Sequence, residues 1–236
     1  MDSQEINKFI KENVDKIYDE MVKVRRIIHE NPELGDEEIE TSKLIKKFLA
    51  ENGIEFFEII NTGVVATIYN DKENMKNKTV ATRADIDALP IFEENEVEYK
   101  SKNNGKMHAC GHDAHTTIQL GVAKILAKNK DRWNGTVRFF FQPAEETSGG
   151  SDRMIKAGAL EFEKEKDKKI DAFFALHMAP EIELGKIGIK YGKAHASSAR
   201  IHLTINGTSA HAALPHKGVD AILIGAKVME YLQSIV

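Results

Sequence analysis

Ile6, Phe9, Ile10, Val14, Ile17, Met21, Val24 and Ile28 recur at steps of one, three or four residues. That spacing places them on one face of a long amphipathic helix. The stretch NPELG, residues 31–35, breaks the pattern through Pro32 and Gly35. A second helix is predicted over 36–51, with Ile39, Leu44, Ile45, Phe48 and Leu49 as its stripe and Asn52-Gly53 as its stop. The pattern then shortens. GVVATIY (63–69) and TVATRAD (79–85) read as strands, and residues 116–129 read as a helix. TVRFFFQ (136–142) and DAFFALH (171–177) lack polar alternation, which predicts strands buried on both faces. RIHLTING (200–207) alternates, as a strand with one wet face does, and 219–236 reads as helix. The predicted fold class is α/β, with a mixed, mostly parallel sheet flanked by helices.

Composition changes this picture little. Of 236 residues, 42% are apolar, enough for a sizeable core, and 30% are charged, with a net charge of −4. So weak an acidic balance speaks against nucleic acid or an anionic membrane as partner. The longest charged run, 161–169, reads as an exposed loop. The opening residues are charged, no segment has the length of a membrane span, and there is one cysteine, Cys110. These features lead to the expectation of a reducing, cytoplasmic setting.

The chemistry collects at strand ends. TVATRADID ends in Asp85 and Asp87, TVRFFFQPAEE in Glu145 and Glu146, and DAFFALH in His177. Sites in open α/β sheets lie beyond the carboxyl ends of strands. MHACGHDAH, just before a predicted helix, adds His108, Cys110, His112 and His115. In an extended loop, residues two apart face one way, so the Cys110 thiolate and the His112 imidazole could share an ion. Glu146 and His177 would complete a mixed sulfur, nitrogen and oxygen set suited to zinc or, with more oxygen, manganese. Each piece also has a plain structural reading. Asp85 and Asp87 could cap a turn. Cys110 taken alone is a small buried apolar residue, and His177 a satisfied core histidine. His108 and His115 are read as structural. Glu145 and Glu146 point opposite ways along an extended strand, so a local twist must bring both to one ion.

RADIDALP, MHACGHDAHT, FFFQPAEE, ALHMAP and GTSAHAALPHKGVDAI, in this order, resemble the N-acyl-amino-acid amidohydrolases, the aminoacylase and hippurate-hydrolase branch of the di-metal exopeptidases. The resemblance implies a metal-dependent hydrolase that cleaves the amide bond of small N-acyl amino acids. It implies two divalent ions, zinc or manganese, with cobalt or nickel as alternatives. Their ligands would include Cys110, His112, Glu146 and His177. Glu145 matches the general base, Asp87 an acid beside the metals, and His211 a lid-domain histidine that steadies the oxyanion in a neighbouring site. It further implies a catalytic domain over 1–196, the start of an inserted lid and dimerisation domain over 197–236, and a homodimer through that lid.

In relatives a later segment returns a further histidine ligand, so this chain is expected to be a fragment or a truncated product. Two alternatives stay open: a non-catalytic metal-binding fragment, and a cysteine hydrolase with Cys110 as nucleophile.

Overall fold

The computed structural model describes residues 2–73, 75, 77–147, 149–162, 168–193 and 201–235. Its described residues divide into two compact units, one running to Glu181 and the other starting at Ile182. The expected domain boundary at 196/197 lies outside the described residues, as does most of the charged run at 161–169.

In the first unit the helical periodicity is realised as α1 (Ser3–Glu30), α2 (Ile39–Glu51) and α3 (His112–Lys128). Helix α1 opens on a capping box, with the Asp2 side chain on the Gln4 and Glu5 amides and Glu5 returning to the Asp2 amide. Helix α3 starts one turn earlier than its apolar pattern suggests, because the polar residues His112, Asp113 and His115 are themselves helical and buried. The strands are β1 (Glu55–Ile59), β2 (Gly63–Asn70), β3 (Thr79–Asp85), β4 (Gly135–Gln142) and β5 (Ala172–Ala175). They form one mixed sheet in the order β1-β2-β4-β3-β5. β1 and β2 are antiparallel, as are β2 and β4, whereas β4 and β5 both run parallel to β3. The short helix α4 (Gly150–Lys156) follows β4.

β2 and β4 are covered on both faces. On one side Val64, Ala66, Phe139 and Phe141 pack with Ile45, Phe48 and Leu49 of α2 and Leu120 and Ala123 of α3. On the other, Val65 and Phe140 pack with Ala81, Met154 and Ala159. β5 contradicts the expectation of a doubly buried strand: Phe173 is 51% exposed and Phe174 60%. The reason is position, since among the described residues β5 is the edge of this sheet and pairs with β3 alone.

In the second unit, residues 201–207 form no strand; the described pairing there is a bridge between Thr208 and Val219. The predicted final helix is α5 (Ala221–Gln233), capped by the Asp220 carboxylate on the Leu223 amide. Among the described residues, no helix is long and apolar enough to cross a membrane.

Candidate metal centre

The parallel arrangement of β3, β4 and β5 puts the ends of all three on one side of the sheet. The Ile86 amide donates to the Gln142 carbonyl at 3.0 Å, tying the exits of β3 and β4 together. Leu89 and Met107 exchange two backbone hydrogen bonds of 3.0 Å. That pairing draws the cysteine loop against the Asp85–Asp87 segment. The loop enters α3 through Gly111, whose φ of 86° is open to glycine and strained for other residues.

His112 is the centre of the group. Its Nδ1 lies 2.9 Å from the Asp87 carbonyl and 3.1 Å from Asp87 Oδ1. Both are acceptors, so Nδ1 carries a proton and Nε2 is the nitrogen that faces inward. Nε2 is buried without a hydrogen-bond partner, 3.4 Å from Asp85 Oδ2 and 3.7 Å from Glu146 Oε1. Glu146 Oε1 is likewise buried and unpartnered. A nitrogen lone pair and two carboxylate oxygens do not face one another without a cation between them, either a proton or a metal. Burial disfavours charge on His112, yet the Asp87 hydrogen bond and the charges of Asp85, Asp87 and Glu146 outweigh it and raise its pKa.

His177 is built the same way. Its Nδ1 donates to the Met178 carbonyl at 2.6 Å, which turns Nε2 toward Cys110 Sγ at 3.5 Å. Burial, a hydrogen bond to Glu146 and the surrounding carboxylates push the Cys110 thiol up to about 12. A thiol so disfavoured as an anion is a poor nucleophile by itself, while a divalent cation bound to the sulfur would reverse the balance. The ligand atoms of Cys110, His112 and His177 lie within 4.8 Å of one another, and so do those of His112, Glu145 and Glu146. A third such group is Asp85, His112 and His115, so His112 belongs to three overlapping sets of potential ligands.

The twist needed at the two glutamates is present. Ala144 has a φ of 50°, in the left-handed region. Its amide donates to Glu38 Oε1 at 2.8 Å, and Thr62 Oγ1 donates to Glu38 Oε2 at 2.7 Å. The Glu146 amide donates to Asp87 Oδ2 at 2.9 Å. Gly35 lets the NPELG loop approach this turn, since a Cβ there would stand 2.4 Å from Thr147 Oγ1. Glu145 remains exposed; partial burial, then the neighbouring Glu146 charge, raise its pKa from the ordinary carboxylate value.

Asp85 is 1% exposed. Burial pushes its pKa up, but the His115 hydrogen bond and the charges of His112 and Arg83 win and hold it at about 2. His115 joins the group without being free for it, because Nδ1 meets Asp85 Oδ1 at 2.6 Å and Nε2 accepts the Met178 amide at 2.8 Å. His108, buried with both ring nitrogens unpartnered, is held neutral at about 4, chiefly by burial. His211 lies in the second unit and is exposed there. Its Nδ1 accepts the Ala213 amide at 3.1 Å, so Nε2 is its N–H donor.

The structure therefore assembles Asp85, Asp87, Cys110, His112, Glu145, Glu146 and His177. Sequence reasoning overlooked Glu38, which nothing distinguishes in sequence from its acidic neighbours Asp36, Glu37 and Glu40.

Residues 81–232 match the profile of peptidase family M20/M25/M40. This chain belongs to that family. An IAA-amino acid hydrolase of Arabidopsis thaliana is 44% identical over 220 residues, 93% of this M20 chain and 48% of that protein. The N-acetyl-L-cysteine deacetylase of Bacillus subtilis is 42% identical over 225 residues, 95% of this chain and 52% of that protein. A crystal structure of a dinuclear metal-binding M20 peptidase from Bacillus subtilis superposes with a TM-score of 0.66 at 40% identity, covering 75% of this chain and 47% of that one. The chain spans about half the length of the curated relatives it matches.

Proposed function

We propose that the protein hydrolyses the amide bond of N-acyl amino acids with the help of two divalent ions, releasing a carboxylic acid and an amino acid. The observation that carries this is the pair His112 Nε2 and Glu146 Oε1, buried, unpartnered and 3.7 Å apart. With Cys110 and His177 they make a donor set that fits zinc or manganese, and cobalt or nickel as alternatives. The relatives' names support amide hydrolysis, and the dinuclear neighbour supports two ions.

Cys110, His112, Glu146 and His177 would hold the ions, and Asp87 would orient His112. Divalent ions there supply Lewis acidity, lowering the pKa of a water and polarising the scissile carbonyl. Glu145 takes a proton from the attacking water and returns it to the departing amine nitrogen. Its raised pKa suits a group that must hold that proton between the two steps. His211, as an Nε2–H donor, would hydrogen-bond the developing oxyanion, in the site of a partner subunit. This reading keeps 1–196 as the catalytic domain and 197–236 as the start of the lid that forms the homodimer. It places the protein in the cytoplasm.

A cysteine hydrolase is supported by the 3.5 Å approach of Cys110 to His177 but opposed by the raised thiol pKa. The deciding experiment is metal analysis of the purified protein together with hydrolysis of N-acetyl and N-benzoyl amino acids. Activity should vanish on chelation and return with zinc or manganese. Turnover that persists in metal-free protein would overturn the proposal.

A further inference from the structure

His177 is exposed and follows an edge strand of four residues, so the sheet alone fixes it weakly. What holds it is the backbone of the next residue. The Met178 amide donates to His115 Nε2 at 2.8 Å, and the Met178 carbonyl accepts the His177 Nδ1–H at 2.6 Å. His115 is 2% exposed, and its other nitrogen donates to Asp85 Oδ1 at 2.6 Å. Asp85 in turn meets Arg83 Nη1 at 2.7 Å. Both His115 nitrogens are thereby committed: Nδ1 as donor, Nε2 as acceptor. The ring is the neutral Nδ1–H tautomer.

We infer that His115 is a positioning residue: through Nε2 it clamps the Met178 amide, which sets the His177 ring and directs its Nε2 at Cys110, and His115 is not itself a metal ligand. The alternative grouping of Asp85, His112 and His115 as ligands would require His115 to give up one of these bonds. Asp85 serves as the anchor at the far side of the ring, connecting the clamp to β3, the central parallel strand. The inference rests on the metal reading proposed above.

The test uses the wild-type chain and three variants of it. Cobalt is added, and the sulfur-to-cobalt absorption band reports the Cys110 contact. Wild type should show the band and Cys110→Ala should lose it; if wild type shows none, the metal reading itself fails. With the band present, His115→Gln and His115→Asn divide the clamp. Glutamine places an acceptor near the Nε2 position, whereas asparagine keeps only the donor toward Asp85. Cobalt affinity should fall roughly tenfold to a hundredfold in His115→Asn, the usual cost of losing a group that orients a ligand, and by no more than about threefold in His115→Gln. Equal loss in both, or loss in glutamine alone, overturns the inference, as does wild-type affinity in His115→Asn. Nitrogen NMR of the unmutated chain keeps the question decidable if a variant fails to fold. His115 should show an acceptor Nε2 and stay nearly unmoved on adding zinc, while His112 and His177 shift. A large zinc-induced shift at His115, or an Nε2–H tautomer there, sinks the inference.

Discussion

β4 and β5 flank β3 as parallel neighbours, and both lead into the metal cluster. β4 pairs on both sides and buries Phe139, Phe140 and Phe141 before delivering Glu145 and Glu146. β5 pairs on one side, exposes Phe173 and Phe174, and delivers His177. Two equally apolar sequences therefore reach the same site from opposite environments. At the end of β4, precision comes from the core plus the Glu38 and Asp87 contacts to the turn. At the end of β5, it comes from hydrogen bonds to the Met178 backbone. Burial of a strand and placement of the side chain at its end are separate problems, solved here by different means.

The sharpest way to probe the β4 side is to separate its two glutamates. Glu145→Gln should keep its metal and lose turnover by roughly a hundredfold to ten-thousandfold, the usual range for a general acid–base group. Glu146→Gln should lose metal as well, measured by elemental analysis after dialysis. Matching metal content and activity in the two variants would erase the distinction between base and ligand.

The contrast in burial predicts a contrast in stability. Phe141 is 0% exposed, and Phe141→Ala should cost about 3–5 kcal/mol in a denaturant titration. Phe174→Ala should stay within about 0.5 kcal/mol, as surface substitutions do. If both cost several kcal/mol in this chain, the edge position of β5 is wrong.

Much of this was legible beforehand. The stripe from Ile6 to Ile28 and the runs at 63–69, 79–85 and 136–142 became α1, β2, β3 and β4; the strand runs are largely buried, whereas Ile6, Ile10 and Val14 of α1 stay exposed and burial there reaches only the end of the helix, at Ile28. β1 was missed: EFFEI is short and begins with a glutamate, so its strand character comes from pairing with β2. Residues 201–207 alternate as a strand should, but a strand needs a partner, and none pairs with them among the described residues. DAFFALH carried no sign of whether it would lie inside the sheet or at its edge. The candidate site residues, and the roles expected of them, were named from Cys110, the histidines and the strand-end acids. The contacts that hold them were not visible. That Asp87 holds His112, Glu38 holds the Ala144 turn and His115 holds Met178 depends on contacts 24 or more residues apart in sequence.

Asp87 links the β4 side to the cysteine loop, accepting from the Glu146 amide and from His112 Nδ1 at the start of α3. In Asp87→Asn one side-chain oxygen must serve both donors, so one contact fails. Metal affinity should drop about tenfold to a hundredfold, with the fold intact by circular dichroism. Unchanged affinity by competition with a chromophoric chelator would show that His112 needs no such orientation.

The smallest expected effect lies behind α3, where the His29 imidazole joins α1 to the residue following His112. Its Nδ1 is 2.9 Å from Asp113 Oδ2 and its Nε2 is 3.1 Å from Glu93 Oε1. Both partners are carboxylates, so both ring nitrogens act as donors and the ring is an imidazolium. Arg25 Nε also meets Asp113 Oδ2 at 2.9 Å, the Tyr99 ring stands edge-on to His29 at 5.5 Å, and the His108 ring lies 6.4 Å away. The Asp113 hydrogen bond is the largest influence and raises the His29 pKa; burial opposes it, and Glu93 adds to the rise. A histidine with a raised folded pKa stabilises the fold fully below its unfolded value, 6.5, and loses that contribution as pH climbs through the folded value. Thermal melts from about pH 5.5 to about 9, the interval around an ordinary histidine, should therefore show stability declining on the alkaline side. His29→Gln should flatten that decline while remaining less stable than wild type at the acid end. An alkaline decline of the same size in His29→Gln would mean that some other group carries the pH dependence, and that the His29–Asp113 contact does not stabilise the α3 side of the metal cluster through charge.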